Sequence, residues 1–163
     1  MIPAAEEFVY RRAHGDYPAT SIRRFPQRFI NHTEQDMSGE RTMKEPGPDH
    51  PIAIAPHGKR VRVTFAGQVI ADTRRALALT EAGYPAMFYI PRADADMSLL
   101  KPSAHKTYCP YKGEASYLSV QAGGRSAENA VWSYEQPYPA VKAIKDHLAF
   151  YPDRVDGIEE EAE

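Results

Sequence analysis

The sequence predicts a mainly β fold of antiparallel sheets with one or two short helices. Apolar and polar residues alternate in several segments, and turn residues separate these segments at intervals of about ten positions, as in sandwiches and barrels. Fourteen prolines among 163 residues disfavour long helices, because each proline removes a backbone donor. The chain is long enough to bury one sizeable core.

The clearest pattern is a hairpin. Val61, Val63 and Phe65 alternate with polar residues, which is typical of a strand with one buried face. Ala66-Gly67 predicts a tight turn, and residues 68–71 predict the partner strand.

Further elements follow in order along the chain. Strands are predicted at residues 76–81, 86–90, 105–109, 115–120, 127–134 and 147–151. Gly123-Gly124 predicts a turn between two of them. Short helical turns are predicted at residues 96–100, with Asp96 as the cap, and at residues 140–144.

We divide the chain into three parts. Residues 1–43 are expected to be an extension that is flexible or dispensable, because charged residues, glycine and proline are mixed there without sustained periodicity. Residues 44–156 are predicted to form a single domain, and residues 157–163 a solvated acidic tail. Met43 begins a phrase that resembles a natural start, so we hypothesise translation from Met43. An intact Met1 terminus on the native product would contradict this hypothesis.

The composition argues against a nucleic-acid-binding, a disulfide-stabilised or a membrane-spanning protein. The formal net charge is −2, which gives no basic field for nucleic acid. Cys109 is the only cysteine, so no internal disulfide forms and a reducing, cytoplasmic location is expected. No apolar run reaches the roughly 18 residues of a membrane span, and residues 1–7 lack the pattern of a signal peptide. We expect neither a cofactor nor a metal, and either a monomer or a homodimer.

Cys109 and Lys112 are the candidate catalytic residues. A lysine three positions after a cysteine can activate the thiol, since a nearby cation lowers a thiol pKa. The alternative interpretation is a small buried thiol in a turn, with Lys112 pointing outward.

Polar aromatic residues and their charged neighbours are the candidate ligand-binding set. Aromatic rings with one polar tip can line a pocket for flat ligands, or they can be core residues with satisfied hydroxyls. Lys112 would be the charged anchor and Glu81 an acceptor. The complete set is Glu81, Tyr89, Arg92, Lys112, Tyr117, Trp132 and Tyr134.

Two other patterns are weaker. Asp94 and Asp96 form a carboxylate pair of the kind that holds magnesium, but no glycine-rich phosphate loop accompanies them, and capping at the start of a loop is the commoner explanation of such a pair. His105 and Cys109 are four residues apart, yet two ligands do not make a zinc site.

Several short motifs occur in a fixed order and together resemble a bacterial family catalogued as domain of unknown function 427, over roughly residues 44–156. These motifs are Gln68-Val69-Ile70-Ala71-Asp72-Thr73, Tyr89-Ile90-Pro91-Arg92 with Asp94, Cys109-Pro110 with Lys112-Gly113, Ala115-Ser116-Tyr117, Ala130-Val131-Trp132-Ser133-Tyr134 with Pro137, and Ala149-Phe150-Tyr151. The resemblance implies a β-tent-like fold, in which antiparallel sheets meet at an angle over a cleft. Relatives of that fold include zinc-bearing modules, methionine sulfoxide reductases and the thalidomide-binding domain of cereblon.

The sequence departs from these relatives at functional positions. It lacks the paired cysteines of their zinc sites, and a reductase cycle with one cysteine needs an external thiol. We therefore expect a module that binds a small molecule of nucleoside, nucleotide or flat heterocyclic type. A Cys109-dependent enzyme is the alternative, and nucleotidyl transfer is a third hypothesis.

Overall fold

Within residues 41–161, which are the residues that the computed structural model describes, ten strands form three antiparallel sheets. The predictions for residues 1–40 and for residues 162–163 lie outside the described residues. The strands are β1 (Ile52–Pro56), β2 (Arg60–Phe65), β3 (Gln68–Thr73), β4 (Leu77–Glu81), β5 (Met87–Tyr89), β6 (Leu100–Cys109), β7 (Gly113–Ala122), β8 (Arg125–Ser133), β9 (Ala149–Phe150) and β10 (Gly157–Glu161). Short 3₁₀ helices cover Arg92–Asp94, Met97–Leu99 and Pro139–Ile144. The predicted mainly β fold with short helices is confirmed.

The three sheets have the strand orders β1-β4-β5, β10-β2-β3 and β6-β7-β8-β9. The predicted hairpin is β2–β3, in which Phe65 pairs with Gln68 across the Ala66-Gly67 turn. Backbone bonds between Ile90 and Leu148, both 2.7 Å, join the end of β5 to the segment before β9. This bridge ties the three-stranded β1-β4-β5 sheet to the four-stranded sheet.

The four-stranded sheet separates two cores, because successive side chains of a strand point to opposite faces. Leu118, Val131 and Phe150 face a first core, which β2, β3 and β10 complete with apolar residues. Their chain neighbours Tyr117, Trp132 and Ala149 face a second core. The second core contains most of the predicted site residues.

Short polar contacts fix the connections. Asp96 caps the 3₁₀ helix Met97–Leu99 by accepting a hydrogen bond of 3.1 Å from the backbone of Ser98, as the sequence predicted. The carboxylate of Asp94 accepts hydrogen bonds from Thr73 Oγ1 at 2.6 Å and from Arg75 Nη2 at 2.7 Å. Capping and loop bonding therefore account for both carboxylates of this pair.

The acidic residues after position 156 do not form the solvated tail that the sequence predicted. Residues Gly157–Glu161 were expected to be a solvated tail, but they form β10, which pairs with β2 along its whole length. Ile158 is buried in the first core, and Glu161 pairs with Arg60 and Arg62 at 3.2 Å each. Burial of the isoleucine and neutralisation by β2 arginines outweigh the repulsion among the acids.

Two turns from different sheets meet closely. Gly123 of the β7–β8 turn has a φ of +57°, and a Cβ atom built there would lie 2.8 Å from Ala66 Cβ. Gly124 has a φ of +74° with open space around that position. Glycine at position 123 therefore serves close approach as well as turn conformation.

No helix within residues 41–161 is long and apolar enough to cross a membrane.

Candidate functional site

A buried ion pair lies at the edge of the second core. Glu81 is the last residue of β4, and Lys112 lies in the tight turn between β6 and β7. Lys112 Nζ donates a hydrogen bond to Glu81 Oε2, and only 5% of the lysine side chain and 8% of the glutamate side chain are exposed. Two residues that are 31 positions apart are thus brought together from two different sheets.

The turn fixes the position of Lys112 through its backbone. The amide of Lys112 donates to Cys109 O at 3.2 Å, and its carbonyl accepts from the amide of Tyr138 at 3.0 Å. The next residue, Gly113, has a φ of +106°, and a Cβ atom there would lie 3.3 Å from Gln136 O. The lysine therefore enters the core from a constrained turn.

The second oxygen of the Glu81 carboxylate is also bonded. His50 Nε2 lies 2.7 Å from Glu81 Oε1, and the imidazole stacks on Tyr111 with 4.0 Å between ring centroids and 8° between ring planes. The His50 side chain is 19% exposed and Tyr111 is half-buried. These two rings form the most accessible part of the site, which we call the His50–Tyr111 face.

The predicted aromatic residues lie behind the ion pair. Tyr89, Tyr117, Trp132 and Tyr134 are each at most 2% exposed and belong to the second core. Trp132 Nε1 donates to the Tyr89 hydroxyl at 3.3 Å. The hydroxyl of Tyr117 lies 2.9 Å from Thr107 Oγ1. These rings support the site from the inside instead of lining an open surface.

The phenols of this cluster stay protonated at neutral pH. Burial raises the pKa of Tyr89, and the negative charge of Glu81 raises it further. Burial is also the main reason why the pKa values of Tyr134 and Tyr117 are raised. These hydroxyls therefore act as hydrogen-bonding groups and not as bases.

Cys109 lies in the same core with a fully buried thiol. It is the last residue of β6 and pairs with Gly113 at the start of β7. A reactant reaches the thiol only if the surrounding core opens, since the reactive form of a cysteine needs solvent access. The turn location agrees with both interpretations of the sequence, but Lys112 points inward to Glu81 and not outward.

Arg92 makes a separate set of bonds. Its Nε donates to the Asp146 carbonyl at 2.9 Å, and its Nη2 donates to Ser133 Oγ at 3.0 Å. The residue is half-buried in the first 3₁₀ helix. Arg92 thus bonds a connecting loop and strand β8, whereas the other charged candidates bond each other.

His50 and Tyr111 were missed as site residues. Neither residue is among the predicted site residues, and in the structure His50 contacts the Glu81 carboxylate. No spacing signal connects either residue with Glu81, because the contact depends on how a turn at residues 47–50 lies on the β6–β7 turn. The flat ring of Tyr111, two positions after Cys109, was the nearest available clue.

No group of three or more histidine, cysteine, aspartate or glutamate side chains within residues 41–161 is placed to hold a metal ion. One cavity of about 10 Å³ lies between the apolar side chains of Val63, Phe88, Ile90 and Phe150, away from the ion pair. That volume is near the minimum for one water molecule.

Comparison with known protein families identifies the family of this chain. Residues 53–161 match the family described as "Domain of unknown function (DUF427)". This match agrees with the resemblance found in the ordered motifs. No curated protein matches the chain.

Proposed function

Because the chain belongs to the DUF427 family, whose description assigns no activity, we propose a function from the site itself: the protein binds a small flat molecule at the His50–Tyr111 face. Glu81 is the hydrogen-bond acceptor for the ligand, and Lys112 holds the carboxylate in place through its other oxygen. Nucleosides, nucleotides and flat heterocycles are the ligand classes to test.

One observation carries this proposal: a buried carboxylate with a basic group on each oxygen, at the edge of a tyrosine-rich core. Removing charges from water is costly, and an apolar pair of similar volume is often as stable or more stable. A buried ion pair that is retained at a partly open edge is therefore a candidate for recognition, since ligand sites combine apolar walls with a few fixed polar groups.

The shape of the face supports flat ligands. Two rings already lie parallel there, at the spacing of stacked aromatic groups. Behind them, the hydrogen bonds of Tyr89 to Trp132 and of Tyr117 to Thr107 hold the supporting layer in place. A rigid support lowers the entropy lost on binding.

Titration calorimetry of the full chain against single nucleosides, nucleotides and heterocycles tests the proposal. We expect at least one of these classes to bind, and Glu81→Gln to weaken binding by roughly tenfold or more through loss of a charged acceptor. Tyr111→Leu should also weaken binding while leaving the ion pair intact. The matched control is Glu128→Gln on an exposed position of β8. Equal affinities for all four proteins, or no binding by any class, would contradict the proposal.

The Cys109-dependent alternative has less support, because a fully buried thiol has no path to a substrate without opening of the core. Nucleotidyl transfer gains no support from Asp94 and Asp96, which are used in capping and loop bonds. A cytoplasmic location is proposed from the single cysteine, and a monomer or a homodimer is compatible with the proposed site.

A further inference from the structure

The segment at residues 41–50, which we call the strap, crosses the β6–β7 turn. The carbonyl of Thr42 accepts a hydrogen bond from the Tyr108 hydroxyl at 2.9 Å. The amide of Lys44 donates to Pro110 O at 2.8 Å. Gly47 and His50 then exchange backbone hydrogen bonds of 3.3 and 3.0 Å, which closes a tight turn. The strap therefore ends by directing the His50 imidazole toward Glu81.

His50 makes the contacts that a bound heterocycle would make. It presents a flat ring to Tyr111 and a ring nitrogen to Glu81 Oε1, and its side chain is 19% exposed. The other carboxylate oxygen is already bonded to Lys112. The recognition features of the face are thus one aromatic surface and one carboxylate oxygen, and His50 uses both.

We propose that His50 is an internal occupant of the proposed binding site, and that the ligand is a flat nitrogen heterocycle with an N–H donor that displaces it. This inference rests on the proposed function and narrows its ligand class. A neutral or cationic ring with an N–H group, such as a benzimidazole or an aminopyrimidine, matches the acceptor at Glu81. An anionic ring edge does not match, because it would face the same carboxylate.

The strap has the properties of a segment that can be displaced. Residues 41–45 are exposed, while the strands beneath them carry the buried cores. Arg41 holds the start of the strap through Glu114 at 2.8 Å, and both of these side chains are more than a third exposed. Exposed ion pairs and few hydrogen bonds contribute little to stability. A ligand that binds only when the strap is displaced shifts the population toward the displaced state. The apparent affinity of this ligand is lower than its intrinsic affinity, because only the fraction of molecules in which His50 has left the site can bind it.

The test compares the wild-type chain with His50→Ala, both at full length, using benzimidazole as the probe. Calorimetry should show binding to His50→Ala that is at least about tenfold tighter than to wild type, because the internal competitor is gone. 1,3-Dimethylbenzimidazolium, a flat cation without an N–H donor, should bind neither protein. Adding Tyr111→Leu to His50→Ala should remove benzimidazole binding. An affinity in His50→Ala no tighter than in wild type would overturn the inference.

Hydrogen–deuterium exchange of the wild-type chain provides a second measurement that does not depend on the folding of a variant. Saturating benzimidazole should increase exchange at residues 41–50 and leave the amides of β7 and β8 unchanged. Unchanged exchange in the strap would overturn the inference. If wild type binds a panel ligand through Glu81 but His50→Ala does not bind it more tightly, the occupant inference fails alone. If neither protein binds any ligand, the proposed function fails with it.

Discussion

Replacing Glu81 in the buried Glu81–Lys112 pair is predicted to lower the stability of the protein more than replacing Lys112. Glu81→Leu removes the carboxylate partner of the Lys112 ammonium, on a side chain that is only 5% exposed. Breaking a buried ion pair in this way costs about 3–5 kcal/mol. In a chain of this size that corresponds to a decrease in melting temperature of roughly 6–20 °C.

Lys112→Met should cost less, about 1–3 kcal/mol, because Glu81 keeps a hydrogen-bonded partner in His50 at 2.7 Å. The double variant Glu81→Leu/Lys112→Met replaces the pair by apolar groups, and its stability should lie within about 1 kcal/mol of wild type or above it. The coupling energy between the two positions is therefore expected to be at least about 3 kcal/mol.

Urea unfolding followed by tryptophan fluorescence measures these values, since Trp132 is buried in the same core. Lys106→Met is the matched control, because Lys106 is 42% exposed and lies 3.8 Å from Glu114. It should change stability by less than about 1 kcal/mol. Additive effects of the two single substitutions would refute the assignment of a coupled buried pair.

Three further predictions address the fold and the thiol. Gly123→Ala should destabilise the protein more than Gly124→Ala, by roughly 1–3 kcal/mol in urea unfolding. Both residues have a positive φ, but only a Cβ atom at position 123 would meet Ala66. Equal losses of stability would contradict the close approach of the two turns. The hydrogen bond from Arg75 is the main reason why the pKa of Asp94 lies below its usual 3.8. The ionised Asp94 carboxylate therefore contributes its full stabilisation above about pH 4, and this stabilisation is lost as the pH falls through the lowered pKa of the folded state. Asp94→Asn should make the stability of the protein less dependent on pH in the acid range. An unchanged dependence would show that Asp94 does not contribute. Cys109 should react with Ellman's reagent only as fast as the core opens, with full reaction in urea, and fast labelling of the native protein would restore the thiol-enzyme hypothesis.

Local patterns predicted most strands, because each of these segments carries its own alternation and turn signals. The β2–β3 hairpin and the Asp96 cap are examples in which the needed contacts lie within a few residues. β10 was missed because its acidic sequence resembles a tail, whereas its pairing with β2, the β2 arginines and the burial of Ile158 all depend on residues far away in sequence. Prediction therefore failed where a strand depends on contacts between residues far apart in sequence.

In the candidate site, too, residue types could be predicted but contacts between distant residues could not. Glu81, Lys112 and the aromatic residues were selected by residue type, and the fold brings most of them together in or beside the second core. Their arrangement was not predictable, because which face of each strand points inward depends on register. No spacing signal linked His50 and Tyr111 to Glu81, since the stacking of the two rings arises between two turns that are distant in sequence.

The pairing of β10 with β2 has a consequence for synthesis. Arg60 and Glu161, which are 101 residues apart, are joined in one sheet, so this sheet cannot be completed until the end of β10 has left the ribosome. At about 5–20 residues per second, β2 waits on the order of 5–20 s for that partner. During this interval the strand that carries Val61 and Val63 lacks its partner on one edge, and an unpaired strand edge of this kind favours aggregation.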